Sequence, residues 1–201
     1  PVLRSLKPDI TIMNGVVPCW SPGVRIVVCH GLKTHGSYHT TQKLYDFLMY
    51  RAGASLVAVS QTLKQEIASE LGFKDVTVIP IGLDTRKYSS LPRERREPAI
   101  LHVGTRPVKN PSTTLKAFKV LSEEKPEARL YITGSDIVQH ELSKNEIRDT
   151  VHFLGVIPRR ELRTLCSKVT AISAPSFYEA FPYTTLEAFA AGTPVVGSKA
   201  I

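Results

Sequence analysis

Two glutamates, Glu179 and Glu187, form the pattern in this sequence with the clearest chemical meaning. Seven residues separate them, and they lie where an apolar strand, 170–174, is followed by a helix with Pro182 at its first position. This spacing predicts Glu179 in the loop at the helix entrance and Glu187 inside the helix. The N-terminus of a helix offers unpaired N–H groups and a partial positive charge, which suit a phosphate. Two carboxylates beside it accept hydrogen bonds from vicinal hydroxyl groups, so the segment is suited to a nucleotide sugar.

A less specific interpretation fits the same two residues. Glu187 would then be a solvent-exposed helix residue, and Glu179 would only interact favourably with the helix dipole. Short motifs of this kind often occur without any function. The residue types and their spacing alone leave both interpretations open.

The residues that flank the two glutamates resemble a known signature. The segment 174–196 is similar to the glutamate-x7-glutamate element of retaining GT-B glycosyltransferases of family 4, also called glycosyl transferases group 1. Ala180 and Pro182 stand where that family usually has glycines, which let the backbone approach the donor closely. The resemblance implies that Glu179 holds sugar hydroxyls and that Glu187 holds the ribose. It also implies that backbone N–H groups are available to the sugar and phosphate, at Ala180, Phe181 and Tyr183.

Two cations, Arg106 and Lys109, lie between a predicted strand, 100–103, and a predicted helix, 112–122. The stretch 103–110 looks like the Val-Gly-Arg-x-x-x-x-Lys-Gly element of the same family, with the arginine displaced by one position. The resemblance implies that both cations stabilise the diphosphate leaving group as the bond between sugar and oxygen breaks. The alternative is a pair of solvated surface cations.

A histidine, His30, follows the apolar strand 24–29. The family has a histidine at the end of this strand that faces the donor, so the resemblance implies contact with the sugar or its leaving group. The alternative is a histidine packed at a strand end. A metal site that includes His35 and His39 is disfavoured, because the spacing fits no standard zinc set.

The resemblance implies four catalytic residues, which are His30, Arg106, Lys109 and Glu179. It further implies a donor-binding set: Gly104, Arg106, Lys109, Gly134, Ser135, Val156, Ile157, Glu179, Ala180, Phe181, Pro182, Tyr183, Thr184 and Glu187. No two aspartates lie two positions apart, so the metal-binding Asp-x-Asp device of the other major glycosyltransferase fold is absent from this sequence. We therefore expect no metal and no cofactor, with a nucleotide diphosphate sugar as the donor substrate.

The elements that position these residues alternate between strand and helix, which predicts an α/β fold with parallel sheets flanked by helices. The predicted strands are 9–13, 24–29, 55–59, 76–80, 100–103, 129–133, 151–154 and 170–174. The predicted helices are 41–52, 60–71, 112–122, 161–167 and the helix from 182.

This order predicts two Rossmann-like lobes, and the resemblance implies that they are of the GT-B type. Residues 1–82 are predicted to form the second half of an N-terminal, acceptor-side lobe, and residues 83–97 an interdomain connection that is solvated. Residues 98–201 are predicted to form most of a C-terminal, nucleotide-sugar-binding lobe. Because the sequence begins with proline and stops just after an apolar strand, we expect a fragment in which both lobes are incomplete.

The composition, with 42% hydrophobic and 22% charged residues, is ordinary for a soluble globular protein. The net charge of +8 is compatible with a phosphorylated substrate or with peripheral contact at an anionic membrane surface. No helix carries a concentrated basic face, which argues against nucleic acid. The three cysteines, Cys19, Cys29 and Cys166, have neither zinc nor disulfide spacing, which indicates reduced thiols in the cytoplasm.

The resemblance implies a function: transfer of a hexose from a nucleotide diphosphate sugar to a hydroxyl group of a saccharide or lipid-linked acceptor, with retention at the anomeric carbon. One alternative is a nucleotide-sugar-binding scaffold without transferase activity, which the altered positions Ala180 and Pro182 suggest. Another is a GT-B sugar-nucleotide epimerase, which needs further acid–base groups near the sugar.

Overall fold

The computed structural model describes residues 8–15, 23–32, 55–135 and 149–201, together with residues 44, 47 and 48. The chain divides into two compact units, Pro1–Ile81 and Gly82–Ile201. Most of the predicted helix 41–52 lies outside the described residues, as do Cys19, His35 and His39. Every helix in the described part of the chain is too short or too polar to cross a membrane.

The first unit contains a parallel sheet whose described strands lie side by side in chain order. These strands are β1 (Ile10–Asn14), β2 (Val24–Cys29), β3 (Ser55–Ala58) and β4 (Val76–Val78). The bounds of β2 agree with the prediction, whereas β1 begins one residue later and β4 ends two residues earlier than predicted. The apolar runs therefore located the strands, and only their ends differ.

Helix α1 (Gln61–Leu71) follows β3 and shows why its bounds could be predicted. At its start the Ser60 hydroxyl oxygen accepts a hydrogen bond from the Leu63 N–H at 3.1 Å. At its end Gly72 has a φ of 79°, a left-handed conformation that glycine adopts without a Cβ clash. Leu63, Ile67 and Leu71 are buried, at the spacing of one helix face.

The second unit contains a parallel sheet with the strand order β7-β6-β5-β8-β9. Its elements in chain order are β5 (Glu97–Val103), α2 (Pro111–Glu124), β6 (Arg129–Thr133), β7 (Val151–Gly155), α3 (Arg159–Lys168), β8 (Val169–Ala174), α4 (Tyr183–Ala190) and β9 (Val195–Gly197). The chain moves outward from β5 to β7 and then returns to place β8 on the other side of β5. The order of the strands therefore reverses between β5 and β8.

Both faces of this second sheet are covered by buried apolar side chains. On one face α3 and α4 pack against β5 and β8, through residues that include Leu101, Cys166, Ile172 and Ala188. On the other face α2 packs against β6 and β7, through residues that include Leu115, Phe118, Leu130 and Ile132. A parallel sheet with helices on both faces is the predicted α/β fold class, which is confirmed.

Strand β5 begins at Glu97, three residues before the predicted start. Pro98 lies inside it, and proline has no N–H to donate to a neighbouring strand. The register with β8 shifts between Glu97 and Ile100, so the proline is accommodated at a bulge. A proline in the sequence therefore obscured the first part of the strand.

Helix α4 begins one residue later and ends as the sequence suggests. Pro182 precedes the helix rather than opening it, because its ψ of 68° is outside the helical range. Gly192 has a φ of 67°, and its N–H donates to the Phe189 carbonyl oxygen at 3.0 Å. The Thr193 N–H reaches the Ala188 carbonyl oxygen at 2.8 Å, which completes a Schellman motif.

The segment 83–97 is part of the second unit and packs against its core, which corrects the expectation of a solvated stretch. Glu94 and Arg95 are exposed as expected, but Arg96 is half-buried and Tyr88 packs against the apolar core. The Arg96 guanidinium donates to the carbonyl oxygens of Leu91, Val169, Ala191 and Gly192 and to the Thr193 hydroxyl. A guanidinium can be buried among carbonyl acceptors without a carboxylate, so a run of mixed charges does not by itself indicate solvation.

Two of the cysteines, Cys29 and Cys166, are buried, and neither forms a disulfide, in agreement with the prediction of reduced thiols. Burial raises the pKa of the Cys166 thiol to about 12, and the nearby Glu187 charge adds to this effect. This thiol therefore stays protonated and behaves as an apolar core group.

Candidate functional site

The reversal of strand order places two loops beside each other at the carboxyl edge of the second sheet. One loop, 104–110, follows β5, and the other, 175–182, follows β8, the neighbouring strand. Open α/β sheets bind ligands in the crevice at such a reversal point. The site predicted from sequence draws on both loops, and the topology therefore brings its two halves together.

The two loops are joined by one backbone hydrogen bond and one side-chain hydrogen bond. The Phe177 N–H donates to the Val108 carbonyl oxygen at 2.9 Å, and the Asn110 side-chain amide donates to the Pro175 carbonyl oxygen at 3.2 Å. Asn110 has a φ of 54°, the left-handed conformation that asparagine tolerates better than most residues. These two bonds fix the relative position of the loops.

Lys109 and Glu179 meet across these loops. Lys109 Nζ lies 2.6 Å from Glu179 Oε1, and the Ser176 hydroxyl donates to the same oxygen at 2.7 Å. The Lys109 side chain is 21% exposed and the Glu179 side chain 12%, so water screens this pair only partly. The predicted phosphate cation and the predicted sugar acceptor therefore form one charged pair.

The direction of the Lys109 side chain follows from a short 3-10 helix, Pro107–Lys109, and from the glycine, Gly104, that precedes this helix. Gly104 has a φ of 95°, and a Cβ built there would lie 3.2 Å from Lys109 Cγ. The lysine stem thus lies against backbone that has no side chain. Arg106, the other predicted cation, is exposed at the start of the same short helix.

Glu187 is 1% exposed, which contradicts the alternative that it is a solvent-exposed helix residue. The Tyr88 hydroxyl donates to Glu187 Oε1 at 2.8 Å, and Arg159 Nε lies 3.5 Å from the same oxygen. The Arg159 guanidinium also lies over the Tyr183 ring, 4.6 Å from its centroid. Burial, followed by the bond to Glu187, raises the pKa of Tyr88, so its phenol is protonated and donates.

Beneath the Lys109–Glu179 pair lies a buried histidine, His102, which sequence reasoning did not identify. Its Nε2 lies 2.9 Å from the Gly104 carbonyl oxygen, which can only accept, so Nε2 carries the proton. Nδ1 accepts from the Thr114 hydroxyl at 2.8 Å. Burial lowers the pKa of His102 to about 4, so the ring is neutral near pH 7. His102, Lys109, Glu179, Pro182 and Thr184 are among the residues that line a small cavity here.

Gly134 and Ser135 end β6 beside the Gly104 loop. A Cβ at Gly134 would lie 2.5 Å from Thr105 Oγ1 and 2.8 Å from the Thr105 backbone nitrogen, so only glycine fits. The Thr105 hydroxyl donates to the Ser135 carbonyl oxygen at 3.0 Å. The predicted turn glycine is therefore a point of close approach between two loops of the site.

The remaining predicted donor residues differ in their surroundings. Val156 is 84% exposed in the loop after β7, and the next residue, Ile157, packs against the apolar core. The Tyr183 N–H donates to the Phe181 carbonyl oxygen at 2.8 Å, so the prediction that it is available to a ligand is wrong. The tight turn that precedes α4 uses that N–H itself.

His30 lies in the first unit, at the carboxyl end of β2. It is exposed, and its Nε2 lies 2.5 Å from Asn14 Oδ1 in the neighbouring strand β1. The alternative interpretation, a histidine packed at a strand end, does not fit this exposure. Its contact with a donor stays a prediction.

Two contacts of Glu187 could not be found from motifs. Tyr88 belongs to the segment 83–97, where it is the only aromatic residue, and this was its one available signal. Arg159 opens α3 directly after the loop that was predicted to bind the base. Both contacts join residues that are distant in sequence, which spacing cannot reveal.

Comparison with known proteins identifies the family. Residues 85–201 match the family described as Glycosyl transferases group 1, and the chain belongs to this family. The glycogen synthase of Mycobacterium tuberculosis is 31% identical over 160 residues, which cover 75% of this chain and 39% of the relative. The chain thus spans about two fifths of the length of that relative.

Solved structures with low sequence identity share the fold. The structure of Anabaena HepE in complex with UDP and glucose aligns with a TM-score of 0.76 and 19% identity, over 89% of this chain and 53% of that one. The structure of WaaG, a glycosyltransferase involved in lipopolysaccharide biosynthesis, aligns with a TM-score of 0.78 and 17% identity, over 99% of this chain and 62% of that one. The predicted GT-B fold class is confirmed.

Proposed function

We propose that this chain is part of a glycosyltransferase that moves a hexose from a nucleotide diphosphate sugar to an acceptor hydroxyl, with retention at the anomeric carbon and without a metal. The observation that carries the proposal is the meeting of Lys109 and Glu179 at the reversal point of the second sheet. Membership of the glycosyl transferases group 1 family supports it.

Lys109 and Glu179 have complementary roles in this proposal. An ammonium group has three donors, so Lys109 Nζ can bond to Glu179 and to diphosphate oxygens together. Glu179 Oε1 already accepts from Lys109 and Ser176, which orient the carboxylate, and the second oxygen is the acceptor for sugar hydroxyls. One charged pair thus links recognition of the phosphate to recognition of the sugar.

The proposed reaction breaks the bond between the anomeric carbon and the oxygen of the terminal phosphate. The acceptor oxygen forms the new bond to that carbon, and its proton passes to the leaving phosphate oxygen on the same face. Negative charge grows on the diphosphate as the old bond breaks, and Lys109 and Arg106 stabilise it. The gain comes mainly from Lys109, because Arg106 is exposed to solvent.

The nucleotide is held farther along the same edge in this proposal. The buried carboxylate of Glu187 accepts hydrogen bonds from the ribose, and the backbone around Val156 and Ile157 contacts the base. UDP is the first nucleotide to test, because the HepE structure contains UDP and glucose.

The acceptor is proposed to be a saccharide or a lipid-linked saccharide in the cytoplasm. The net charge of +8 favours acceptors that are anionic or that lie at an anionic membrane surface. Transient peripheral contact with the inner face of a membrane is part of this proposal.

A second candidate function is a nucleotide-sugar-binding protein without transferase activity. Ala180 and Pro182 replace the usual glycines in the loop before α4, and the Tyr183 N–H bonds within that loop. These features limit how closely the backbone can approach a sugar phosphate. Binding without turnover would favour this candidate.

The experiment that tests the proposal combines binding with product analysis. Saturation-transfer NMR with a panel of nucleotide sugars is expected to find one donor whose binding weakens in both Glu187→Gln and Lys109→Ala. Incubation of that donor with candidate acceptors, followed by proton NMR of the new anomeric linkage, is expected to show the configuration of the donor. Binding without transfer to any acceptor would support the second candidate, and a folded protein that binds no donor would contradict both.

A further inference from the structure

A tyrosine from the segment 83–97, at the start of the second unit, bonds to a buried carboxylate of the proposed donor site. Tyr88 follows a 3-10 helix, Thr85–Lys87, and its ring packs against the apolar core beneath α3 and α4. Its hydroxyl lies 2.8 Å from Glu187 Oε1. The Arg163 guanidinium lies over the ring, 6.0 Å from its centroid. The ring is thus held on two sides, which limits where the hydroxyl can point.

The same segment is anchored a second time, eight residues later. Arg96 donates to the Ala191 and Gly192 carbonyl oxygens at the C-terminus of α4, the helix that carries Glu187. A cation at this end of a helix also interacts favourably with the helix dipole. The segment therefore contacts α4 at the middle of the helix through Tyr88 and at its end through Arg96.

A buried carboxylate can serve as a hydroxyl acceptor only if its orientation is fixed. Tyr88 and Arg159 both contact Oε1 of Glu187, which leaves Oε2 as the acceptor for a ligand. Arg159 Nε lies 3.5 Å from this oxygen and the side chain is 56% exposed, so its interaction with Glu187 is weaker than that of the Tyr88 phenol. Without the phenol, the carboxylate can rotate toward Arg159.

We infer that Tyr88 is a positioning residue of the donor site: it fixes the Glu187 carboxylate so that Oε2 accepts from the ribose, and it thereby sets the preference for nucleotides that carry ribose hydroxyls. The inference rests on the proposed function, because it takes Glu187 as the ribose acceptor. A site built to bond a hydroxyl rejects an analogue that lacks it, since a buried polar group then loses its partner. The rejection is sharp only while the acceptor is held in place.

The test compares two tyrosines, each of which donates its hydroxyl to a glutamate in the second unit. Tyr88→Phe removes the bond to Glu187 and keeps the ring. Tyr131→Phe is the matched control. Tyr131 is the middle residue of β6, and its hydroxyl donates to Glu97 Oε2 at 2.9 Å. Isothermal titration calorimetry on the intact protein measures the affinity of UDP, GDP and ADP and of their 2′,3′-dideoxy counterparts.

The quantity to compare between variants is the ratio of the affinity for the ribonucleotide to the affinity for its dideoxy counterpart, both with the preferred base. The wild-type protein and Tyr131→Phe prefer the ribonucleotide by about tenfold or more, the value of a hydrogen bond to a charged group. Tyr88→Phe lowers the affinity for the ribonucleotide about fivefold to tenfold and that for the dideoxynucleotide much less, so the ratio shrinks. In turnover, Tyr88→Phe raises the KM of the donor and changes kcat little.

The test distinguishes failure of the Tyr88 inference from failure of the proposed function. If the wild-type protein prefers the ribonucleotide, Glu187→Gln abolishes the preference and Tyr88→Phe retains it, the role of Tyr88 is overturned while the proposed function stands. If the wild-type protein binds no nucleoside diphosphate, the proposed function fails and this inference fails with it. If nucleotides bind but Glu187→Gln changes neither affinity, Glu187 is not the ribose acceptor, and this inference is overturned while hexose transfer is not. A loss of thermal stability in Tyr88→Phe with an unchanged ratio also overturns the inference.

Discussion

At the scale of single residues, the pair formed by Lys109 and Glu179 carries the proposed chemistry. Sequence reasoning assigned one residue to the phosphate and the other to the sugar, and the two side chains are 2.6 Å apart. A fixed ammonium in a largely buried position acts strongly on charge that develops nearby. Its contribution is therefore expected in the rate of the chemical step more than in binding.

We expect Lys109→Met to lower kcat by about 10²- to 10³-fold, because a neutral side chain does not stabilise the charge on the leaving diphosphate. The KM of the donor is expected to change less, since the proposed contacts to the ribose and base do not involve Lys109. Steady-state kinetics with the donor found by NMR measures both. Lys119→Met, which replaces an exposed lysine on α2, is the control, and an unchanged kcat in Lys109→Met would falsify the assignment.

His102 predicts how the stability of the second unit depends on pH. Burial lowers its pKa to about 4 in the folded protein, against about 6.5 in the unfolded chain. The unfolded chain therefore binds more protons between these values, and stability falls as the pH is lowered through this window. The contribution that is present above about pH 6.5 and lost by about pH 4 is about 3 kcal/mol.

We expect the stability difference between wild type and His102→Gln to narrow by about 2 to 3 kcal/mol between about pH 7 and about pH 4.5. The reason is that glutamine carries no titrating proton but occupies a similar volume. Urea unfolding at both pH values measures the difference. A stability difference between the two proteins that is the same at both pH values would show that the His102 ring does not titrate as its burial implies.

The burial of Glu187 could not be predicted from its own helix. In α4 the apolar Phe189 is 61% exposed and the charged Glu187 is 1% exposed, the reverse of what hydrophobicity predicts. The reversal depends on Tyr88 and Arg159, which belong to other elements. Local rules fail here at a residue of the proposed site, where such failures are expected.

At the scale of secondary-structure elements, the sequence predicted what depends on local signals. Ser60 and Gly72 bound α1 because a cap is formed by neighbouring residues. The strands were located by apolar runs, as buried parallel strands usually are. The start of β5 and the packing of Arg96 were missed, since a bulge and a set of carbonyl acceptors leave no local pattern.

Arg96 connects the segment 83–97 to the C-terminus of α4 and is expected to stabilise the second unit. Arg96→Met should lower the free energy of unfolding by about 3 kcal/mol, because several carbonyl oxygens lose a charged donor. Urea denaturation followed by circular dichroism measures the change. The neighbouring Arg95→Met removes an exposed arginine and should cost less than about 0.5 kcal/mol. Equal effects in the two variants would mean that the Arg96 contacts contribute little.

At the scale of the whole molecule, the site depends on how the chain orders its strands. Periodicity predicts a parallel sheet but does not predict that β8 returns to lie beside β5. The resemblance to a family grouped residues of both loops in one site, and the strand order, which was not predicted, shows how they come to lie together. The net charge of +8 is a property of the entire chain, and it favours anionic substrates.

The proposed roles of Lys109 and Arg106 lead to a prediction about metal ions. In the proposed mechanism, the charge of the leaving diphosphate is neutralised by Lys109, with a smaller part for Arg106, so a divalent ion has no required role. We expect the initial rate of transfer to be the same after exhaustive treatment with EDTA and after addition of magnesium or manganese. Lys109→Met provides the internal comparison: if the lysine does the work that a metal does elsewhere, added manganese should partly restore its rate while leaving the wild-type rate unchanged. A wild-type rate that collapses in EDTA and recovers with one ion would contradict the prediction and assign the charge stabilisation to a bound cation.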